Sequence, residues 1–313
     1  MASCKENIND RGHCPNDANP DREAFSPRFD PSIKTIGDLY EAGKEMRWIP
    51  NDDIPWASFD ASVFDAETLA AARLTWSRRA WSEYTGLTET PALLVRFCLE
   101  VRREADPKFF LTVRNTEEAW HVDVCHRVAE ACGGYLESPA DEAYGQIFNQ
   151  DLHQRALDSG QSLDAYVATH CAVEDGLELE LWRGYLDNAR DPVLRRVLEL
   201  CVADKIRHAA FGWFYLEKRA PELSPADKAL IADTIETHLR EVEFRGYHCA
   251  WMTPGGAAAD VVAADTKTAE MGLGALPPEA ERAILADYLA LAHGRLENLG
   301  INVTPLEIAQ PGS

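Results

Sequence analysis

Two segments of the chain place a carboxylate and a histidine together on an otherwise apolar helical face. Glu118 and His121 are three residues apart in NTEEAWH, and Asp204 and His208 are four residues apart in DKIRH. Both spacings bring the two side chains to one side of an α-helix. The residues at helical spacing around the pairs include Leu111, Cys125, Val128, Cys201 and Phe211. Because a buried, unpaired charge is costly, the two pairs predict a polar or metal-binding site inside a helical core.

Helix-forming residues dominate from position 66 onward and predict a first helix pair. Its first arm is expected over 66–105, with a break or kink at Pro91. Its second arm is expected to be capped by Asp106 and to end at Gly133 and Gly134. The short connection between the arms makes them antiparallel neighbours.

A second helix pair is predicted after a long connection. Its first arm starts near Ser162 and reaches about Asp187, while Asp191 caps the second arm, Pro192 is its first residue and Arg219 lies near its end. Two such pairs predict an all-α four-helix bundle of two helix hairpins with additional N- and C-terminal helices. The alternation of β-branched residues that is typical of strands is missing from the sequence.

The chain divides into three predicted regions. Residues 1–65 are expected to be an extended or partly disordered N-terminal segment, because Asn, Asp and Pro are frequent at their start. Residues 66–220 form the predicted bundle, and 221–313 add C-terminal helices packed on it, with Ser224 as one helix cap. The Gly- and Ala-rich stretch 255–264 is expected to be a loop.

A dinuclear carboxylate site in such a bundle needs one further acid from the other arm of each pair. Residues equally far from the turn of an antiparallel pair lie at the same height. This reflection selects Glu89 and Glu174, with Glu83 and Glu178 as rival acids on the same two helices. His170, one turn before Glu174, is a further ligand, a hydrogen-bond partner of a ligand or a core histidine without a role in the site. The predicted metal ligands are Glu89, Glu118, His121, Glu174, Asp204 and His208.

Four carboxylates and two imidazoles form a donor set that suits iron, with manganese as the competing metal. Carboxylates bridge two ions and change their binding mode with the oxidation state of the metal. The predicted cofactor is therefore two Fe ions, with Mn as the alternative, and the predicted co-substrate is O2.

The segments EEAWH and DKIRHAAFGW resemble the ferritin-like diiron-carboxylate superfamily. This superfamily includes ferritins, ribonucleotide reductase small subunits, bacterial multicomponent monooxygenases and 4-aminobenzoate N-oxygenases. The resemblance covers about 66–219 and implies a metal-binding helical bundle. The superfamily usually has Glu three residues before the second His, but Lys205 occupies that position here and Asp204 precedes it. Asp204 as the substitute ligand, an altered second metal site and the loss of one metal are the three interpretations of this difference.

Composition excludes several classes of partner. The net charge of −21, from 52 acidic and 31 basic residues, repels phosphate backbones and anionic lipids, so nucleic acid is not expected to bind. Charges interrupt the apolar runs, as Arg96 does in ALLVRFCLEV, so no membrane span is predicted. The N-terminus does not resemble a signal peptide, and eight cysteines without a CxxC pair suit a reducing compartment. A cytoplasmic protein without structural disulfides is expected.

The resemblance and the donor set together predict a non-haem diiron oxidoreductase. It would activate O2 to oxidise a small-molecule substrate by hydroxylation, N-oxygenation or desaturation, with an external electron donor as partner. Glu241 and His248 are candidates to line the substrate pocket, with a solvated helix face as the other interpretation of Glu241, and a homodimer is the expected assembly where one forms. The alternatives are a ferroxidase or iron-storage protein and, because of Lys205, a metal-free ferritin-like binding protein.

Overall fold

The structure, a computed structural model, describes residues 32–101, 103–148 and 152–311. Predictions on residues 1–31 lie outside this range. The described residues form eleven α-helices and contain no strand. The helices are α1 (Ile36–Glu45), α2 (Ala66–Glu100), α3 (Asp106–Ala131), α4 (Glu142–Phe148), α5 (Leu152–Leu157), α6 (Leu163–Tyr166), α7 (Asp175–Asn188), α8 (Pro192–Arg219), α9 (Pro225–Glu241), α10 (Ala259–Glu270) and α11 (Pro278–Asn298).

Four long rods form the central bundle. Helices α2 and α3 pack along each other as one hairpin, and a π-helical segment, Val167–Glu174, joins α6 to α7 as the first arm of the second hairpin. Helix α8 is the second arm and also packs against α3. The predicted all-α bundle of two helix hairpins with additional terminal helices is confirmed.

Helix starts follow the capping residues in most places. The side chains of Ser162, Asp191 and Ser224 accept hydrogen bonds from the backbone N–H groups of the first turns. Asp191 and Ser224 are the predicted caps, and Ser162 lies at the predicted start of its helix. The predicted cap at Asp106 is wrong by one residue, because Ala105 before it already has helical dihedral angles and serves as the cap without a side-chain bond.

Helix α2 differs from the prediction in continuity and length. It runs through Pro91 without a break and ends at Glu100 instead of near Ala105. Proline at this position removes one hydrogen bond to the carbonyl of Leu87 four residues earlier. Packing along the whole length of α3 stabilises the rod enough to retain helical structure on both sides of Pro91.

The segment predicted to be extended contains a helix. Helix α1 is capped by Thr35 and Asp38 in a reciprocal capping box, and it packs on α3 and α8 through its buried residues Ile36 and Leu39. Trp48, which follows α1, is 4% exposed and belongs to the main hydrophobic core. The N-terminal region is therefore part of the packed molecule from residue 36 onward.

The C-terminal helices cover the bundle. Helix α9 packs on the π-helical segment, α10 on α2 and α11 on α7. The predicted loop over 255–264 is wrong from Ala259 onward, where α10 begins, because Val261 and Ala264 pack their side chains inward at helical spacing. The last predicted helix is confirmed as α11.

The π-helical segment is held by close packing on two sides. Helix α8 passes so near it that a Cβ atom at Gly212 would collide with the backbone carbonyl group of Cys171. From the other side, the hydroxyl of Tyr288 in α11 donates a hydrogen bond to the carbonyl oxygen of Ala172, 3.0 Å away. Wide helical turns of this kind are common beside functional sites because they alter the direction of side chains.

The six cysteines of the described residues, which include Cys125, Cys171 and Cys201, are free thiols. No helix among the described residues is both long and apolar enough to cross a lipid bilayer.

Candidate functional site

The six predicted ligands all lie inside the bundle but form two groups. Five of them are less than 9% exposed, and the side chain of Glu89 is 15% exposed. His121 and Asp204 are in contact, with 3.2 Å between Nε2 and Oδ2, and the rings of His121 and His208 are 5.7 Å apart. Glu89 and Glu174 contact His170 instead.

A series of hydrogen bonds crosses the bundle centre. Trp48 donates its indole N–H to Oδ2 of Asp204 over 2.8 Å, and the same oxygen is the partner of His121. The other ring nitrogen of His121 lies 3.2 Å from Oε2 of Glu83. Asp204 thus connects an indole to an imidazole, and Glu83, the rival of Glu89 in the sequence, is the acid of α2 at this level.

The ammonium group of Lys205 lies between two buried carboxylates. Its Nζ is 2.7 Å from Oε1 of Glu83 and 2.7 Å from Oε1 of Glu178. The side chain of Lys205 is 3% exposed. Burial alone would lower the pKa of this lysine, but the charges of Glu178 and Glu83 outweigh it and raise the pKa above its usual value. Lys205 is therefore a fully charged internal cation at neutral pH.

Two arginines neutralise the remaining acids of this level. Arg207 pairs with Asp204 and with Glu117, whose Oε1 is 2.5 Å from Nη2, and His208 lies 2.9 Å from the other oxygen of Glu117. Arg114 binds both oxygens of Asp175, at 2.5 and 2.9 Å.

Glu118 has the same kind of neutralising contacts. It accepts hydrogen bonds from Arg114 Nε and from the hydroxyl of Thr90, each at 2.8 Å. These contacts both go to Oε1 of Glu118, whereas its Oε2 is buried without a hydrogen bond.

The pKa values reflect these contacts. Burial opposes protonation of His121, but its hydrogen bonds to Asp204 and Glu83 outweigh burial and raise its pKa to about 9. Burial raises the pKa of Glu178 to about 7 against the opposing charge of Lys205. Burial also raises the pKa of Glu117 to about 7, and the negative charge of Asp204 acts in the same direction.

The bundle centre does not fit a dinuclear metal site. Glu83, Glu118 and Asp204 are each paired with a lysine or an arginine, so metal ions there would compete with a fixed cation for each of these carboxylates. A metal ion between Glu83 and Glu178 would have to displace the ammonium of Lys205, which repels it. No step of a metal-dependent reaction is therefore assigned to this position.

A second group of acids and histidines lies beside the π-helical segment. We call it the histidine cluster, and its members are Glu89, His170, Glu174, His238, Glu243 and His248. Nδ1 of His170 is 2.6 Å from Oε2 of Glu174 and 3.6 Å from Oε1 of Glu89. Nε2 of His238 lies 3.0 Å from the same oxygen of Glu174. Glu174 therefore contacts two imidazoles through one oxygen.

The other half of the histidine cluster is centred on Glu243. Its carboxylate lies 2.9 and 3.0 Å from Nδ1 of His248, and 3.5 Å from Nε2 of His238. Nε2 of His248 points toward Glu178, 3.9 Å away, and Glu178 also binds Lys205. One carboxylate thus links the histidine cluster to the bundle centre.

The carboxylates of the histidine cluster raise the pKa values of two of its imidazoles. Burial lowers the pKa of His238, but the charge of Glu174 outweighs it and raises the pKa to about 10. The charge of Glu243 raises the pKa of His248 to about 9 against burial in the same way. Burial and the charge of Glu174 raise the pKa of Glu89 well above its usual range.

A small cavity of about 40 Å³ lies between the two groups. Its walls include residues of both, among them Glu83, Glu89, Glu118, His170, Glu174, Lys205 and His248. A single ordered water needs about 10–15 Å³ by this measure, so the cavity has room for a diatomic gas or a few waters. His248 lines the cavity, whereas Glu241 is exposed and pairs with Arg245 at the surface.

Sequence interpretation missed His238 and Glu243 altogether and gave His248 a different role. These residues lie at the end of α9 and in the turn after it, at intervals of five residues that share no helical face. It noted that Lys205 occupies the usual position of a Glu, but it did not predict that the ammonium group binds Glu83 and Glu178. The one available signal was the Glu-to-Lys difference in DKIRH, which put a cation at an inward position.

Comparisons with known proteins identify the fold. No family model matches the chain, and no curated protein matches it. Several structures of R2-like ligand-binding oxidases do match. One single-site variant with an aerobically reconstituted Mn/Fe cofactor aligns with a TM-score of 0.59 at 17% identity, over 83% of this chain and 93% of that chain. The fold is that of the R2-like ligand-binding oxidases.

Two further R2-like ligand-binding oxidase structures agree with this result. The structure with a reconstituted metal cofactor after photoconversion has a TM-score of 0.60 at 16% identity, over 83% of this chain and 92% of that chain. A variant with an anaerobically reconstituted Mn/Fe cofactor has a TM-score of 0.58 at 17% identity, over 88% and 96% of the two chains. Because 83–88% of this chain is aligned, the likeness extends beyond the bundle residues 66–219.

Proposed function

We propose that this protein is a metal-dependent oxidase that uses O2 to oxidise a small organic molecule. The metal is iron or manganese, and an external electron donor restores the reduced state. Hydroxylation, N-oxygenation and desaturation remain the reaction types within this proposal. The shared fold supports the proposal, because the structures that carry it are named as oxidases with Mn/Fe cofactors.

The observation that carries the proposal is the histidine cluster. Of its three carboxylates and three imidazoles, five are buried, the side chain of Glu89 is 15% exposed, and four members line a cavity that suits O2 in size. Among the described residues, no lysine or arginine forms an ion pair with Glu89, Glu174 or Glu243. Mixed oxygen and imidazole donors suit redox-active first-row metals.

Bound iron or manganese would supply the electrons that reduce O2. The protein itself provides a dry site and positioned protons. Burial of the cavity walls excludes bulk water, and Lys205 keeps a positive charge at the cavity wall, where it attracts an anionic species. Glu178 binds Lys205 at 2.7 Å and lies 3.9 Å from Nε2 of His248, so an ionisable carboxylate stands between the internal cation and the histidine cluster.

Oxygen uptake by the metal-loaded protein tests this function. Metal-free protein is loaded anaerobically with Fe(II), or with Fe(II) and Mn(II), and is then mixed with O2 in an oxygen electrode. Loaded protein should consume O2 faster than the same Fe(II) in buffer, and protein loaded with Zn(II), which has no redox chemistry, should consume none. Uptake equal to that of free Fe(II) would contradict the proposal.

A metal-free binding protein is the second candidate function. The internal cation Lys205 favours it, because the bundle centre is neutralised without any metal. Protein purified from cells grown with added iron and manganese distinguishes the two functions. Less than 0.1 metal ion per chain by elemental analysis, on the order of a trace level, would favour the binding protein, because such low occupancy means weak affinity.

A further inference from the structure

We propose that the histidine cluster is a dinuclear site for divalent first-row transition metals, such as Fe(II) and Mn(II), in which Glu174 bridges the two ions. The site lies outside the position that the two helix hairpins alone would create, where Lys205 now resides. This inference rests on the proposed function for its choice of metals. Metal binding by the histidine cluster is measured separately from oxidase activity.

The donor atoms converge as two triads that share one residue. The first triad is His170, Glu174 and His238, and the second is Glu174, Glu243 and His248. Within each triad one donor atom per residue lies within 4.8 Å of the others. Donors around one ion with bonds of about 2.1 Å lie roughly 3–4 Å apart, so only small side-chain movements separate these triads from coordination. Sharing of Glu174 places the two positions next to each other.

Unpartnered buried atoms point to a missing ligand. His238 is 5% exposed, and neither of its ring nitrogens makes a hydrogen bond with acceptable geometry. Its Nε2 lies between Glu174 and Glu243 without being directed at either. Oε1 of Glu89, on the side of His170, is also buried without a hydrogen bond. Such groups are rare in folded proteins, and metal ions bound in the histidine cluster would give them partners.

The charge balance separates the histidine cluster from the bundle centre. Glu83, Glu118 and Asp204 each have a lysine or arginine partner, whereas Glu89, Glu174 and Glu243 have only imidazole partners among the described residues. Three carboxylates compensate most of the charge of two divalent ions. Neutral imidazoles complete the set without adding charge.

The scaffold explains why the site forms at this place. His170 and Glu174 come from the π-helical segment, whose wide turn directs both toward α9. His238 comes from the last turn of α9, and Glu243 and His248 from the turn that follows. Glu89 alone comes from the first hairpin, so the helices beyond the bundle supply half of the donors.

Metal stoichiometry of paired variants tests the location. Wild-type protein is dialysed anaerobically against Mn(II), and separately against Co(II), whose visible absorption reports imidazole ligation, and bound metal is measured by elemental analysis. The wild type should bind two ions per chain, and His238→Gln and His248→Gln should each bind at least one ion about tenfold or more weakly. Glu174→Gln should weaken both ions. Circular dichroism confirms that each variant is folded.

His121→Gln is the matched control, because it alters a buried histidine of the bundle centre. It should retain both ions and the Co(II) spectrum. Loss of metal in His121→Gln, with normal binding in His238→Gln and His248→Gln, would overturn the inference and leave the oxidase function standing. One ion per wild-type chain would overturn the dinuclear assignment.

The remaining outcomes separate the two proposals. Metal bound in the histidine cluster without oxygen uptake would support this inference and overturn the oxidase function. A wild-type chain that binds neither Mn(II) nor Co(II) would overturn both.

Discussion

Lys205 places a positive charge at the centre of the bundle, between two buried carboxylates. It lies at the inward position where the resembling superfamily has a metal-binding Glu, and it binds two carboxylates at 2.7 Å. A lysine at this position supplies the positive charge that a bound metal ion would otherwise give to the two carboxylates. The same substitution leaves Asp204 with a role between Trp48 and His121.

Replacement of Lys205 by methionine should destabilise the fold strongly. The variant leaves Glu83 and Glu178 buried without their cation, and removal of one partner of a buried ion pair costs about 3–5 kcal/mol. Urea unfolding followed by circular dichroism measures the change in the free energy of unfolding.

Lys218→Met is the control for Lys205→Met, because Lys218 also pairs with a glutamate at 2.7 Å but is 63% exposed. Its effect should stay below about 1 kcal/mol. Equal effects of the two variants would show that the internal ammonium contributes no more than a surface charge.

The sequence predicted which inward faces are polar, but not how the polar groups pair. Glu118, His121, Asp204 and His208 are all buried, as their apolar neighbours indicated. Whether they act as metal ligands remains a prediction, although the structure pairs two of these acids with arginines. The hydrogen-bond partners of these residues could not be predicted, because they depend on contacts between residues that are far apart in the sequence. Trp48 reaches Asp204 across 156 positions of sequence, and no local pattern encodes that contact.

At the scale of elements, the π-helical segment determines the arrangement around the histidine cluster. Its wide turn needs a neighbour that comes very close, and Gly212 provides the space on α8. It also leaves backbone carbonyl groups that need donors from elsewhere, and Tyr288 serves one of them. Both contacts are sites where a small substitution should have a large effect.

Gly212→Ala should destabilise the protein by at least about 1–3 kcal/mol, because the new methyl group collides with rigid backbone at Cys171. Gly294→Ala is the control, since a Cβ atom there meets no other atom within 4 Å. Alanine at this helical position should stabilise by about 0.5–1 kcal/mol. Thermal unfolding of the two variants should therefore shift in opposite directions, and a shared direction would argue against the close approach of α8.

Tyr288→Phe should lower the free energy of unfolding by about 1 kcal/mol, because it removes the hydroxyl that donates to Ala172. Hydrogen exchange of the amides in 167–174 should become faster, since the segment loses a bond that holds it. The same change at Tyr84, which is 42% exposed, is the control. Unchanged exchange in Tyr288→Phe would mean that the π-helical segment is held by its other contacts alone.

Helices were easier to predict than their interruptions. Caps at Ser162, Asp191 and Ser224 are local signals, and each marks a real helix start. The π-helical segment has no comparable signal, because its formation depends on Gly212 and Tyr288, which lie 41 and 117 positions after Cys171 in the printed sequence. Pro91 was read as a break, yet packing on α3 holds α2 in one rod.

At the scale of the whole molecule, the C-terminal helices close the structure with buried polar contacts. Tyr185 of α7 donates a hydrogen bond to Oε1 of Glu281 in α11, 3.0 Å away, and Glu281 is 2% exposed. Arg78 of α2 and Asp265 of α10 form a buried ion pair at 3.1 Å. These contacts make the docking of the last helices sensitive to protonation.

Glu281 should make stability fall as the pH rises. Burial and the charge of Asp265 raise its pKa to about 7, so the folded protein keeps a proton that the unfolded protein releases above its ordinary pKa of 4.5. The favourable contribution is complete below pH 4.5 and is lost as the pH rises through 7.

Glu281→Gln should remove this dependence. The free energy of unfolding of the wild type relative to this variant should decrease between pH 5 and 8, by up to about 3 kcal/mol. Glu297, an exposed carboxylate of the same helix, provides the control substitution Glu297→Gln. A difference between wild type and Glu281→Gln that stays constant with pH would contradict the prediction.

The positive charge that neutralises Glu83 and Glu178 at the bundle centre belongs to the side chain of Lys205, so it is covalently attached to the chain. A chelator can strip an ion from a protein, but it cannot strip a side chain. A newly synthesised polypeptide therefore brings its own neutralising group and can close its core before any iron or manganese arrives, even in a cell starved of both.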